Sequence, residues 1–418
     1  MIERHLPARR VTDGPLHHFF GYFDKFPWDA TGRYLLAHEV NFTARQPSPE
    51  EPATLGVIDT HNGNRFTPFA ETHAWCWQQG CMLQWLNGAE HTVIHNDREG
   101  DHFCARIRNL QSGETRTLCR PIYCLSSDGR WALSLNFSRL DRERPGYGYP
   151  GAFDPTEHVM APEDDGIYLI DIQANTAKLI ISLRQVTERF YRSDMADTPG
   201  WFNHLLFSPD SKRFAFFHRW RTWKPDGRPA HVTHMFTANL DGSEIWPLNL
   251  ETMSSHYTWV NDQQLVNFSN RYATGWQYYL YTDQTHHTEI LAKDLFPGDG
   301  HCSFSPDGKW MLTDSYPLED NCRRLYLYHL ASHQPYEIGS FYADPTYPDP
   351  TRCDLHPRGL ATSLCHGCQR PSEQRVKSPS LTLRLSENNA PPKHGENPDQ
   401  PLSSARHPLG KHGETLKL

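Results

Sequence analysis

A turn of the Ser-Pro-Asp-Gly type returns along this chain at a step of about 45 to 55 residues, the length that a four-stranded propeller blade requires. The Asp closes such a turn through its own side chain, and the Gly supplies a positive φ. Three copies carry a histidine six residues ahead of the turn Asp: His204 before Asp210, His256 before Asp262 and His301 before Asp307. A fourth, His356, stands where the next copy is due. Equivalent positions of a radial repeat form a ring about one axis, so these four imidazoles are expected to face one another. That ring is the candidate active site.

Short alternating strands fill the intervals. Residues 32–40, 53–59 and 65–69 read as strands, the last two joined by the hairpin turn His61-Asn62-Gly63-Asn64. The same grammar returns over 81–85, 92–96, 103–107 and 115–118, then over 122–125, 131–135 and 166–171, and again in 235–238, 278–281 and 325–328. Six copies and the opening of a seventh predict an all-β fold, a seven-bladed β-propeller over residues 15–357. Its blades are expected at about 15–70, 71–120, 121–184, 200–252, 253–297 and 298–345, with a partial blade at 346–364. A long insertion, 139–165, has the length of a functional or mobile loop, and 183–195 has helical composition and spacing.

The seventh copy opens with Thr351-Arg352-Cys353-Asp354-Leu355-His356-Pro357, but no turn Asp-Gly and no alternating strands follow. The mixture of Pro, Ser, His and Lys beyond it lacks the apolar surface to order itself, so 365–418 is expected to be a disordered tail that leaves the last blade incomplete. Codons for Arg358-Gly359-Leu360-Ala361-Thr362 can be chosen so that a shifted frame spells Trp-Ser-Arg-Asp, close to the missing turn. This predicts a frameshift within or after Pro357, and a nucleotide sequence without a blade-like frame across the tail excludes it.

A net charge of -8 and a pI near 6.3 provide no basic face for a polyanion, which argues against nucleic acid as a partner. No run of 18 apolar residues exists and the first residues have no signal-like apolar core, so neither a membrane partner nor export is expected and the reading is cytoplasmic. Ten cysteines scattered singly through strand-like segments fit reduced thiols. Cys365-His366-Gly367-Cys368 has metal-ligand spacing, but no second pair follows it. Nothing in the sequence sets an oligomeric state.

Imidazoles from several strands can hold a divalent transition metal and leave positions open for substrate. With 25 histidines in the chain, one at a repeat position means little; four at a shared offset mean more. Asp354 and Arg352, two and four residues before His356, add a carboxylate and a cation to the same rim. Lys25 stands six residues before the first turn at Thr31, where a cation suits an anionic substrate and a plain surface lysine is the alternative. Stacking on sugar faces is weighed for Trp77, Tyr147 and Tyr149, and core packing for Trp85.

The pattern over about residues 15–357 resembles the oligogalacturonate lyases and a wider set of related propeller proteins. The resemblance is most specific in Trp77-Gln78-Gln79-Gly80-Cys81-Met82-Leu83-Gln84-Trp85, in His256 and His301, 45 residues apart, and in Arg352-Cys353-Asp354-Leu355-His356-Pro357. It implies a propeller that binds manganese through His and Gln in a central cleft and cleaves short uronic-acid oligosaccharides by β-elimination, as in pectin degradation. It puts His256 on the general base and His301 and His356 on metal ligands, to which His204 and Asp354 are added as candidates. The family's closing motif carries a Gln and two His, so here a carboxylate stands in for a ligand. Its Arg that neutralises the substrate carboxylate is expected near Thr233-His234-Met235-Phe236, where this chain has His234; Arg219 and Arg221 are the candidates for that catalytic role. Lys25, Trp77, Gln79, His234 and Arg352 are the candidate substrate-binding residues.

These residue types suit the reaction. Removing a proton α to a carboxylate requires that the carboxylate's charge be offset by a metal or Arg, and a base of pKa near the working pH, usually His. The expected activity is a metal-dependent carbon–oxygen lyase. A noncatalytic sugar-binding or protein-interaction scaffold is the alternative from another class, and a hydrolase or isomerase using the same ring is a third.

Overall fold

The computed structural model describes residues 1–347, 349, 351–359, 364–366 and 381–383. Six antiparallel blades follow one another, each of four strands in sequence order. The first holds His17–Phe19, Tyr34–Val40, Ala53–Asp59 and Arg65–Thr72; the second Gln84–Trp85, Thr92–Glu99, His102–Asn109 and Thr115–Leu118. The third holds Cys124–Leu125, Trp131–Ser134, Gly166–Asp171 and Thr176–Ser182; the fourth Gly200–Phe207, Arg213–Trp223, Pro229–Asn239 and Trp246–Asn249. The fifth holds Met253–Trp259, Gln264–Arg271, Gly275–Thr282 and Thr288–Leu291; the sixth Ser303–Phe304, Trp310–Asp314, Cys322–His329 and Gln334–Tyr342. Ile2–Glu3 adds to the sixth as a parallel outer strand.

Alternation explains why these strands stack as blades. In Arg213–Trp223, Phe214 and Phe216 enter one apolar cluster, while Ala215 and Phe217 enter another. Successive side chains of a strand point to opposite faces, so a strand apolar at every position must be covered on both sides. The neighbouring blades provide that cover.

Among the described residues six full blades are formed, not the expected seven. Beyond them, Ala8–Arg10 pairs with Leu381–Leu383, which pairs with Leu364–His366 and so with Arg358–Gly359, in pieces of two or three residues. The missing turn Asp-Gly and the lack of an alternating apolar pattern after Pro357 are the physical reason that no further full blade forms among the described residues. The expectations of a disordered tail, a frameshift and a Cys365-to-Cys368 ligand pair concern residues mostly outside those described.

The insertion of the third blade contains a helix that the sequence did not signal, Phe137–Glu143, capped by Asn136, whose side chain accepts the Arg139 N–H at 3.0 Å. Arg139 is buried and donates to the carbonyls of Gly200, Thr156, Val159 and Met160, which fixes the insertion to the fourth blade. The expected helix at 183–195 is a helix over Leu183–Arg189 and a single 3-10 turn over Ser193–Met195. The eight cysteines with described side chains are free thiols. No helix among the described residues is long and apolar enough to cross a membrane.

Candidate functional site

The inner strands of the fourth and fifth blades lose register at their histidines, between Asn203 and Leu206 and between Ser254 and Tyr257. An extra residue in one strand turns its side chain out of the normal alternation. His204 and His356 also adopt positive φ, 51° and 45°. The imidazoles succeed one another as the shared offset predicts, with centroids 6.5 Å apart for His204 and His256, 4.0 Å for His256 and His301, and 4.4 Å for His301 and His356. Tyr22 fills the middle of the group, its ring 4.9 Å from that of His204 and 5.0 Å from that of His356.

His301, Asp354 and His356 form the one group among the described residues whose ligand atoms suit a metal, all lying within 4.8 Å of one another. The Nε2 atoms of His301 and His356 are buried and make no hydrogen bond. Their other nitrogens are occupied. Nδ1 of His301 lies 3.0 Å from both oxygens of Asp314, and Nδ1 of His356 lies 3.2 Å from the Gly21 carbonyl oxygen. With Nδ1 carrying the proton, each Nε2 presents a lone pair to the shared space. Burial, and then the neighbouring imidazole, holds both far below the usual histidine range, so both are neutral as metal ligation requires. These donors fit a divalent cation.

Asp354 is enclosed by cations. Its Oδ1 accepts from Arg323 Nη2 at 2.8 Å and Arg352 Nε at 3.2 Å, while Oδ2 lies 3.0 Å from the same Nε in a geometry that makes no hydrogen bond. Burial opposes ionisation, but Arg352 and Arg323 overcome it and hold the carboxyl well below its usual range. Behind His301, burial pushes the Asp314 carboxyl up to about 8, against the pull of the His301 backbone N–H.

Next to the triad, His256 faces Asp299 through Nδ1 at 3.0 Å, and Asp299 also accepts from Ser255 Oγ. The base candidate therefore has an orienting carboxylate, which leaves its Nε2 for chemistry. Asp299 lies inside the repeat motif, two residues before His301. Its position could have been read from the sequence, whereas Asp314, on the adjoining strand, carried no such signal.

The remaining candidates separate. His204 lies outside the triad, its Nε2 3.4 Å from the Tyr22 hydroxyl. Arg352 sits against the triad through Asp354 and reaches Tyr147 Oη at 3.3 Å. Arg219 is 4 % exposed, lies over the Phe217 ring and has no hydrogen-bonding or ionic partner among the described residues. Arg221 is instead engaged by Glu143, at 3.3 Å.

Four proposed substrate contacts have structural occupations. Trp77 is buried against Phe19, Phe42 and Trp75 and donates to the Arg45 carbonyl, so it has no face open to a sugar. Gln79 is buried and donates to the Tyr123 hydroxyl at 2.7 Å. His234 is buried against Trp220. Lys25 is buried rather than on the surface, pairs with Asp24 at 2.6 Å and lines a cleft of about 570 Å³ with the turn residues Pro209, Asp262 and Pro306. Of the aromatics weighed for stacking, Tyr149 is fully buried on Phe137, while Tyr147 borders His204.

The fold has solved counterparts. An oligogalacturonate lyase from Vibrio parahaemolyticus superposes with a TM-score of 0.61 at 14 % identity, covering 93 % of this chain and 97 % of that one. An oligogalacturonate lyase in complex with manganese superposes with a TM-score of 0.63 at 15 % identity, covering 92 % and 94 %. At such identity the likeness establishes the propeller fold. No family model and no curated protein sequence matches this chain.

Proposed function

We propose that this protein is a divalent-metal-dependent lyase, oligogalacturonate lyase-like, that cleaves short uronic-acid oligomers by β-elimination. The observation that carries the reading is the pair of buried, unpartnered Nε2 atoms of His301 and His356 facing the Asp354 carboxylate. Two imidazoles and one carboxylate suit a divalent transition metal. A shared fold with two oligogalacturonate lyases, one of them in complex with manganese, adds support.

His301, Asp354 and His356 would hold the ion, which would supply positive charge to offset the substrate carboxylate and so acidify the adjacent C–H. His256 takes that proton at Nε2. Asp299 holds Nδ1–H and stabilises the imidazolium that results. The C–H electron pair becomes the new C=C bond, the C–O bond to the neighbouring sugar breaks, and the departing oxygen takes a proton from solvent. Arg219, without an ionic partner among the described residues and lying over the Phe217 ring that borders His204, is a cation for the anionic substrate. In this role the protein would process pectin fragments in the cytoplasm.

Metal analysis of the purified protein, with His301→Ala as control, followed by absorbance of unsaturated uronate on adding oligogalacturonides, tests the reading. Metal that depends on His301 together with unsaturated product is expected. No metal and no product leaves a sugar-binding scaffold, and product without unsaturation means hydrolysis.

A further inference from the structure

We propose that Arg144 and Arg219 form a carboxylate subsite separate from the triad, so that the site reads two acid groups on neighbouring sugars. This rests on the uronic-oligomer reading above. Arg144 follows the insertion helix Phe137–Glu143, and its guanidinium lies 4.9 Å from the centre of the Tyr147 ring. Its Nε is buried without a partner, as is that of Arg219. Neither side chain makes a hydrogen bond or ion pair among the described residues.

The two flank one imidazole: Arg144 lies over Tyr147, whose ring centre is 6.1 Å from that of His204, and Arg219 lies over Phe217, whose ring centre is 5.3 Å from it. Burial and then the charge of Arg144 lower the Arg219 pKa to about 10, and after burial both guanidiniums act against protonation of His204 and His231. Three other buried arginines are paired: Arg139 with carbonyls, Arg213 with Asp283 and Arg323 with Asp354. Arg219 is buried and Arg144 half-buried, and two like charges so placed are costly unless an anion completes the set. Planar guanidiniums pair well with carboxylate oxygens, which identifies the class of that anion. Tyr147 joins the two subsites, since its ring borders Arg144 and His204 while its hydroxyl meets Arg352, the partner of Asp354 in the triad. One carboxylate then faces the triad and the next lies between Arg144 and Arg219.

The test measures binding of digalacturonate, and of the same dimer methyl-esterified on one ring at a time, to chelator-treated full-length protein by calorimetry. Arg144→Gln is expected to weaken digalacturonate binding about 10- to 100-fold, the loss typical of a charged hydrogen bond, and Arg144→Lys less. For one of the two monoesters, wild type and Arg144→Gln are expected to bind equally. In turnover, Arg144→Gln should raise KM and leave kcat within a few-fold. Arg144 makes no side-chain bond, so the variant should fold, and its unliganded melting temperature checks this. Equal binding of digalacturonate by wild type and Arg144→Gln overturns the subsite, as does an equal effect of Arg144→Gln on both monoesters. If the contrast holds but no unsaturated product forms, the subsite stands and the lyase reading falls; if unsaturated product forms without the contrast, the lyase reading stands and the subsite falls.

Discussion

Asp314 grips His301 twice, accepting its backbone N–H at 2.7 Å and facing its ring Nδ1 at 3.0 Å. This carboxyl thus fixes the position of a metal-ligand candidate and, once ionised, its tautomer as well. Outer partners of this kind typically contribute about 10- to 100-fold in metal affinity. Asp314→Asn should weaken manganese binding by that range in a chelator competition while the fold persists by circular dichroism. Unchanged affinity would show that the triad is not the metal site.

His256 and Asp299 are expected to separate chemistry from binding. Replacing a general base typically costs about 10²- to 10⁴-fold. His256→Ala should therefore lose kcat to that extent with metal content intact. Asp299→Asn should lose less and shift the acid limb of the kcat–pH profile. Loss of bound metal in His256→Ala would make that histidine a ligand instead.

Gly300 places the triad's first histidine by close approach. A Cβ there would lie 2.0 Å from the Asp314 carbonyl oxygen and 2.7 Å from Thr313 Oγ1. Both contacted atoms belong to the strand Trp310–Asp314, which has little room to yield. Gly300→Ala should destabilise by about 1–3 kcal/mol in urea unfolding, the usual cost of overpacking. It should also weaken metal binding by displacing His301, and wild-type values for both would refute the packing argument.

Acid should unfold the protein through histidines remote from the triad. Burial drives His38 and His218 to about 3 from an ordinary value near 6.5. Between those values the unfolded chain binds protons that the folded chain refuses, so stability rises with pH. The contribution is complete above about pH 6.5 and is lost progressively as pH falls towards 3. His38 accepts the Cys81 N–H at 3.2 Å, a bond that Gln can replace without titrating. Melting in chelator across this window should show a shallower slope for His38→Gln, by about one proton. An identical slope would remove His38 from the explanation.

The histidine ring was legible because it follows the repeat: a fixed distance from a turn becomes a fixed place around an axis. His256, His301 and His356 needed only counting. The triad's carboxylate was legible because Asp354 is two residues from His356 along one segment. What escaped depends on contacts between distant segments, which spacing does not encode. Tyr22 reaches the centre from before the first blade's second strand, Asp314 holds His301 from the adjoining strand, and Arg144 caps the end of a helix inside what reads as a loop. Trp77 shows the converse error. A tryptophan in a distinctive motif invites a binding role, but its indole N–H is spent on Arg45 and its faces on Phe19, Phe42 and Trp75. The blade count failed where the turn signal ended.

The segment carrying Asp354 and His356 is not a strand; Arg358 holds it by donating to the carbonyls of Gly21 and Tyr22. An ion shared with His301 would staple this segment to the sixth blade, closing a loop of more than fifty residues much as a cross-link does. Every molecule of ion bound to the native state alone then pulls the folding equilibrium with it. The melting temperature of this protein should therefore act as a gauge of free manganese, rising with the logarithm of its concentration once the site is saturated.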